Sequence, residues 1–139
     1  MNNQIDEFVG KWILIPERSV FQNNSPSLSG VFKCKLLDIH ALEVEFNWVD
    51  YANQPHFLEY HMVVDATIRP FFPPELFDGI CTEMIGKHQL MFSLYMKDTL
   101  FSKTKLEIQA EDILKMDECI FLMNGDTLRN VQYFQKVKH

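Results

Sequence analysis

The feature that most constrains this chain is a strict alternation of apolar and polar residues over positions 42–48. The apolar members are Leu42, Val44, Phe46 and Trp48, and the residues between them are Glu43, Glu45 and Asn47. Successive side chains of a β-strand point to opposite faces, so this pattern predicts a strand with one buried face. A helix would require a period near 3.6 residues, which this segment lacks.

Similar segments recur along the whole chain and are separated by turn residues. We predict nine strands, over residues 8–15, 31–37, 42–48, 57–64, 79–85, 89–96, 99–108, 113–123 and 127–137. Short polar connections such as Asn124-Gly125-Asp126 are typical of antiparallel hairpins. With no convincing amphipathic helix between the segments, the chain is predicted to be one all-β domain over residues 1–139. An antiparallel up-and-down β-barrel of about 8–10 strands is favoured, and a sandwich is the alternative.

The composition argues against several classes of function. The net charge is −6 and the lysines are scattered, so the chain lacks the clustered positive face of a nucleic-acid binder. The first residues are polar and acidic, and no run approaches the roughly 18 apolar residues of a membrane span, so we expect a cytoplasmic protein. Cys34, Cys81 and Cys119 are far apart and form no Cys-x-x-Cys pair, which favours buried free thiols over disulfides or zinc.

The two end segments resemble the lipocalin and fatty-acid-binding protein superfamily. Gly10-Lys11-Trp12 matches the Gly-x-Trp signature near the start of these proteins. Residues 130–134, Asn-Val-Gln-Tyr-Phe, resemble their closing strand, which pairs back with the first strand. Residues 12–19, 29–32 and 45–48 are similar to a group of small uncharacterised bacterial lipocalin-like proteins. The resemblance implies a barrel that binds a small apolar or amphipathic molecule in its interior without catalysis.

Two departures from the fatty-acid-binding pattern affect the predicted site. The helical lid of those proteins has no counterpart here, because residues 16–30 are polar and interrupted by proline. Their last strand holds a ligand carboxylate with an Arg-x-Tyr pair, whereas this chain has Val131-Gln132-Tyr133, and Arg129 is the candidate substitute. The predicted ligand-binding residues are Phe46, Trp48, Tyr60, Met62, Phe92, Arg129 and Tyr133.

The sequence leaves open whether the barrel is hollow. A barrel of this size is either filled by its own side chains or holds one small ligand. A filled barrel would act through its surface as an interaction or structural module. The candidate partner surface is then the loop over residues 68–78, where Phe71, Phe72 and Phe77 lie among prolines. Alternatively, this loop folds over the mouth of the barrel.

An isomerase or hydrolase is the third hypothesis, and it requires acidic side chains that point inward. Glu43, Glu45 and Glu59 alternate with apolar residues, so we expect them on the solvated outer face. If the orientation were inverted, they would line the lumen with perturbed pKa values, beside His61. His56 and His61 lie five residues apart and fall on opposite faces of a strand, so no metal site is expected. No cofactor-binding motif is present, and no cofactor is predicted.

Overall fold

A computed structural model describes residues 4–22, 25–72, 74–110 and 112–138. Within these ranges the chain forms two short 3-10 helices, Gln4–Phe8 and Pro16–Arg18, and eleven strands. The strands are β1 (Gly10–Leu14), β2 (Val20–Phe21), β3 (Ser29–Asp38), β4 (Ala41–Val49), β5 (Pro55–Val63), β6 (Ile68–Pro70), β7 (Gly79–Gly86), β8 (Gln89–Met96), β9 (Thr99–Ile108), β10 (Ile113–Phe121) and β11 (Thr127–Lys136).

The strands form one antiparallel sheet that curls into a nearly closed barrel. Its strand order is β5-β4-β3-β1-β11-β10-β9-β8-β7-β6, and the short β2 pairs with β11. The predicted all-β barrel is confirmed, with ten strands along this path. The pairing of the first strand with the last, expected from the two end segments, is also observed, with Trp12 opposite Lys136.

The two ends of the sheet meet without a continuous ladder. Val64, which follows β5, forms a single bridge with Thr82 of β7, and the Ala66 amide donates to the Thr82 carbonyl at 2.9 Å. Among the described strands, no backbone ladder joins β5 to β6. We call this interruption between β5 and β6 the seam.

Glycine of the Gly-x-Trp signature has a direct structural role at the start of β1. Gly10 has a φ of +147°, and a Cβ at this position would lie 2.8 Å from Cε of Lys136. The Lys136 side chain crosses here, and its Nζ lies 5.5 Å from the centre of the Trp12 ring. A side chain at position 10 would therefore strain the backbone and displace Lys136.

One half of the barrel is filled by side chains, and we call this half the floor. The Gln4–Phe8 helix covers its end, and Trp12 Nε1 donates to the Phe8 carbonyl at 3.0 Å. Complete burial of such side chains contributes about 1.5–3 kcal/mol each to folding. The floor residues are Ile5, Phe8, Trp12, Leu42, Met62, Leu90, Leu106 and Leu114.

Outward-facing charges cover the sheet between β3 and β5. Glu43 and Glu45 of β4 lie opposite Lys35 and Lys33 of β3, while Leu42 and Val44 are fully buried. Glu59 continues the outer row on β5 and is exposed. The expectation that these three acids lie on the outer face is therefore correct.

Several predicted boundaries require correction. Phe8 ends a 3-10 helix instead of opening the first strand. Ile68–Pro70, which belongs to the loop predicted over residues 68–78, forms β6. Strands of two or three residues, like β2 and β6, are too short to show a periodic pattern. Pro73 of that loop lies outside the described residues, as do Asn23 and Asn24 of the polar segment over residues 16–30.

Across the described part of the chain, no helix has the length and apolar character required to cross a bilayer.

Candidate functional site

The half of the barrel opposite the floor contains a cavity of about 400 Å³. This volume lies within the range of about 300–1,000 Å³ that is usual for small-molecule sites. The cavity is bounded by the β4–β5 turn, the β6–β7 loop and the segment before β3, so it opens at the end of the barrel away from the Gln4–Phe8 helix. Its apolar lining comprises Phe21, Phe46, Trp48, Leu58, Tyr60, Phe71, Phe77, Phe92, Leu94, Phe101, Met116 and Ile120, and its polar lining Ser25, Ser27, Asp50, Thr104, Glu118, Asn130 and Gln132.

Four aromatic side chains form what we call the aromatic wall: Phe46, Trp48, Tyr60 and Phe92. The alternation of β4 places Phe46 and Trp48 on the same inner face, with ring centres 5.0 Å apart. The rings of Tyr60 on β5 and Phe92 on β8 are 5.9 Å apart, centre to centre, so they contact each other in the cavity lining. The wall presents flat apolar surfaces on which a ring or a hydrocarbon chain can pack.

The loop between β6 and β7 closes part of the cavity mouth. Phe71 is only 2% exposed, and its ring packs on Tyr60 at 5.6 Å and on Phe77 at 5.5 Å. Phe77 in turn packs on Phe101 at 4.9 Å. Phe72 is 70% exposed. Of the three aromatics in the candidate partner surface, Phe71 is therefore buried, Phe77 half-buried and Phe72 exposed, and the contacts agree with the alternative in which the loop folds over the mouth.

A strip of polar side chains crosses the lining on three adjacent strands. This polar strip consists of Thr104, Glu118, Asn130 and Gln132. Glu118 lies opposite both Thr104 of β9 and Asn130 of β11, and Asn130 Nδ2 donates to Glu118 Oε1 at 3.2 Å. Asn130 Oδ1 accepts a hydrogen bond from the Gln22 amide at 3.2 Å, which orients its side-chain amide. The strip thus presents hydrogen-bonding groups on an otherwise apolar lining.

Glu118 has an unusual electrostatic environment. Burial raises the pKa of its carboxyl group above the ordinary value, and the hydrogen bond from Asn130 offsets part of this effect. Burial also raises the pKa of the Tyr60 hydroxyl, with smaller contributions from Cys34 and from Glu118. Tyr60 therefore lies within the electrostatic field of the Glu118 carboxyl group.

At the rim of the cavity, Asp50 is held by a network of its own. Its carboxylate accepts hydrogen bonds from the Ala52 and Gln54 amides, both at 2.9 Å, and pairs with His56 at 2.8 Å. The hydrogen bond to His56 is the largest cause of the lowered pKa of Asp50. The His56 ring stacks on Trp48 with centres 5.0 Å apart. This network connects the β4–β5 turn to the aromatic wall.

The structure places the predicted ligand-binding residues in three locations: the cavity lining, the floor and the outer face of the barrel. Phe46, Trp48, Tyr60 and Phe92 line the cavity, and their role in binding stays a prediction. Met62 is fully buried in the floor and does not reach the cavity lining.

Arg129 and Tyr133 face outward, so the expectation that they reach the barrel interior is wrong. Arg129 is exposed and pairs with Asp117 at 2.6 Å, while Tyr133 packs under the Arg18 guanidinium at 4.5 Å. On β11 the inward residues are Asn130, Gln132 and Phe134, all of which are buried. Arg129 therefore cannot bind a ligand anion inside this cavity.

The polar strip is the part of the site that the sequence prediction missed. The sequence does indicate the orientation of Glu118, because this residue falls in the same register as three apolar residues of β10. They are Leu114, Met116 and Ile120, whereas Lys115 and Asp117 occupy the alternate positions. An acid within an apolar row indicates an inward carboxyl group. For Asn130 and Gln132 no such signal exists, because both faces of β11 mix polar and apolar residues.

In the described part of the chain, the side chains considered for catalysis or metal binding lie outside the cavity lining. Cys34 is buried, which raises the pKa of its thiol to about 12 and makes it a poor nucleophile. His61, Glu45 and Glu59 lie on the outer face, away from the cavity. No group of three His, Cys, Asp or Glu side chains in the described ranges is placed to hold a metal ion.

A second cavity of about 340 Å³ lies at the seam. Its lining includes the outward-facing Glu59, His61, Arg69 and Phe72. Tyr60 and Phe71 line both this cavity and the interior one. Their ring contact is therefore the partition between the interior and the seam.

Comparison with known proteins supports the fold. The sequence matches no protein-family model and no curated protein. Among solved structures, the chain is similar to wild-type fluorescent protein UnaG, with a TM-score of 0.64 and 12% identity over 96% of this chain and 99% of that one. It is also similar to zebrafish ileal bile acid-binding protein complexed with cholic acid, with a TM-score of 0.57 and 13% identity over 94% and 98% of the two chains.

A redesigned β-barrel, mFAP1, bound to DFHBI, gives a TM-score of 0.56 at 7% identity over 97% of this chain and 100% of that one. At these identities the likeness concerns the fold. The β-barrel fold that the resemblance of the two end segments implies is confirmed at that level.

Proposed function

We propose that this protein binds a small apolar or amphipathic molecule in the cavity above the floor, without catalysis. The observation that carries the proposal is the division of the barrel interior: one half is filled, whereas the other holds about 400 Å³ bounded by the aromatic wall and the polar strip. A core built only for stability is packed without large voids. Apolar walls with a few convergent polar groups are the usual composition of a ligand site.

The solved structures of similar fold support the same function. The zebrafish protein is complexed with cholic acid and mFAP1 is bound to DFHBI, so this architecture accommodates small molecules in other chains. The chemistry of the present lining differs from an anion site, because Arg129 is on the outer face.

Titration with the neutral apolar dye Nile red tests the proposal. We expect saturable binding with one dye per chain, measured by the rise in dye emission. Thr104→Trp places a large ring in the cavity and is expected to weaken binding by about tenfold or more, or about 1.4 kcal/mol. Lys103→Trp is the matched control, because Lys103 is the neighbouring residue on the outer face of β9 and is exposed. It should bind the dye as the wild type does.

Thermal unfolding of each variant verifies that the barrel is intact. If Thr104→Trp folds and binds Nile red as tightly as Lys103→Trp, the dye is not in the cavity. That result, or the absence of saturable binding by the wild type, contradicts the proposed function.

A further inference from the structure

The charged side chains of the cavity lining are acidic, and the one at the rim, Asp50, pairs with His56 at 2.8 Å. Glu118 lies within the lining and Asp50 at the rim, whereas none of the described residues that line the cavity is Lys, Arg or His. The basic residues of the surrounding strands, Lys103, Lys105 and Arg129, alternate onto the outer face. The ionisable side chains within the lining are therefore acidic.

Within the described part of the chain, the Glu118 carboxylate receives fewer hydrogen bonds than it can accept. Asn130 donates one hydrogen bond to Oε1, whereas a carboxylate can accept about four. A buried carboxylate is costly unless donors or an opposite charge compensate for the water it has lost. The free lone pairs of Glu118, in the lining of the cavity, can accept hydrogen bonds from a bound molecule.

We propose that the cavity selects amphipathic amines: molecules with an apolar body and an ammonium group that binds the Glu118 carboxylate. This inference rests on the proposed function and names the class of ligand for that site. The apolar body packs against Phe46, Trp48 and Phe92, whose ring faces also attract a cation. The ammonium group donates to Glu118, while Asn130 holds the carboxylate in place.

The same arrangement disfavours anionic ligands. A carboxylate in the cavity would lose its hydration and meet the Glu118 charge in a medium of low dielectric constant, where like-charge repulsion is strong. No basic side chain of the described lining compensates for this repulsion. Fatty-acid anions, which carry such a carboxylate, are therefore disfavoured by the lining.

Calorimetric titration at pH 7.5 with three naphthalene probes tests this selectivity. The probes are 2-(1-naphthyl)ethylamine, 2-(1-naphthyl)ethanol and 1-naphthylacetate, which share one apolar body and differ in charge. We expect the wild type to bind the ammonium probe at least about tenfold more tightly than the acetate, because one charge-assisted hydrogen bond accounts for a factor of this size.

The variants Glu118→Gln and Asp117→Asn form a matched pair. The two residues are adjacent on β10, but Asp117 faces outward, where Arg129 binds it at 2.6 Å. Glu118→Gln should weaken binding of the ammonium probe by about tenfold and improve binding of the acetate, with the alcohol changed less than about threefold. Asp117→Asn should change none of the three affinities.

The outcomes separate this inference from the proposed function. If the neutral alcohol binds the wild type but the ammonium probe has no advantage, or keeps its advantage in Glu118→Gln, the charge selectivity is overturned and the binding function stands. If no probe binds, including Nile red, the binding function itself fails.

Discussion

Glu118 has an electrostatic environment opposite to that of its neighbour on β10, Asp117. It is turned inward among apolar side chains, and burial raises its pKa, whereas a hydrogen bond from Arg129 lowers the pKa of the adjacent Asp117. Two consecutive acids therefore respond to pH in opposite directions, because the alternation of β10 places them on opposite faces of the sheet.

The raised pKa of Glu118 and the lowered pKa of Asp117 predict that the two carboxyl groups affect stability with opposite pH dependences. The folded state binds the Glu118 proton more tightly than the unfolded chain does. The protonated carboxyl group therefore contributes to the free energy of unfolding below the ordinary glutamate pKa of 4.5, and this contribution is lost as the pH rises through the raised pKa. We therefore expect the free energy of unfolding of Glu118→Gln to rise relative to the wild type as pH increases from 4.5 towards neutrality. Urea unfolding at a series of pH values measures this difference.

Asp117→Asn provides the comparison of opposite sign. The contribution of Asp117 is present above its ordinary pKa of 3.8 and is lost as pH falls through the lowered value. The wild type should therefore have a larger free energy of unfolding than Asp117→Asn above pH 3.8, and the difference should disappear as the pH falls through the lowered pKa of Asp117. Among the described residues, Thr104 and Asn130 lie opposite Glu118 on the neighbouring strands, and Tyr60 lines the same cavity. Of these only Tyr60 titrates, well above neutrality, because burial raises its pKa. A flat profile for the Glu118→Gln difference would show that this carboxyl group is solvated.

At the residue scale the sequence predicts which side chains of β4 face the interior, but not which side chains of β11 do. The alternation of β4 identifies Phe46 and Trp48 correctly as inward residues. On β11, Leu128, Asn130, Gln132 and Phe134 alternate with Arg129, Val131, Tyr133 and Gln135, so each face carries two polar and two apolar residues. Hydrophobicity alone does not decide which face of β11 is inside, so the prediction from the sequence places Tyr133 and Arg129 on the wrong face.

At the scale of elements, the β6–β7 loop links the mouth of the barrel to its interior. It carries Phe71 into contact with Tyr60 and leaves Phe72 in solvent, although the two residues are adjacent. Two hydrogen bonds to Asp78 anchor the loop. The Phe71 amide donates to the Asp78 carbonyl at 3.3 Å, and the Lys97 amide donates to Asp78 Oδ2 at 2.9 Å. Composition alone predicts a stiff aromatic loop but not which ring turns inward.

The adjacent pair Phe71 and Phe72 yields a test of the loop. Phe71→Ala is expected to lower the free energy of unfolding by about 3 kcal/mol, because it removes a buried ring from the cluster with Tyr60 and Phe77. Phe72→Ala should change it by less than about 0.5 kcal/mol, because its ring is exposed. Chemical denaturation of both variants makes the comparison. Equal losses would mean that the loop does not pack as described.

Phe72 also bears on a role in protein binding. A partner at this loop would contact Phe72, the exposed ring, and the interaction would then be lost in Phe72→Ala while the stability of the fold is retained. Loss of ligand binding in Phe71→Ala but not in Phe72→Ala would instead identify the loop as part of the cavity wall.

At the scale of the whole molecule, the barrel is divided into a packed floor and a hollow half. The sequence predicts the barrel from its alternating segments and its end strands. It does not predict the division, because the space inside depends on the summed volume of inward side chains from ten strands and on their register. Individual alternation patterns carry no information about that sum.

The division predicts that stability and binding respond to different residues. Leu114→Ala in the floor should lower the free energy of unfolding by about 2–5 kcal/mol, because it leaves a cavity in a fully packed region. Its affinity for Nile red should remain within about twofold of the wild type, since Leu114 does not line the ligand cavity. Denaturant titrations and dye binding on the same preparation measure both quantities. A large loss of affinity in a folded Leu114→Ala protein would mean that floor and cavity are mechanically coupled.

The seam has a consequence for the shape of the interior. In a continuously laddered barrel, the number of strands and their stagger determine the circumference. Among the described residues, the two margins are joined here by the Val64–Thr82 bridge, by the hydrogen bond from the Ala66 amide to the Thr82 carbonyl, and by the ring contacts of Tyr60 with Phe71 and Phe92. Along this line the circumference of the barrel is therefore set by side-chain packing as well as by backbone hydrogen bonds.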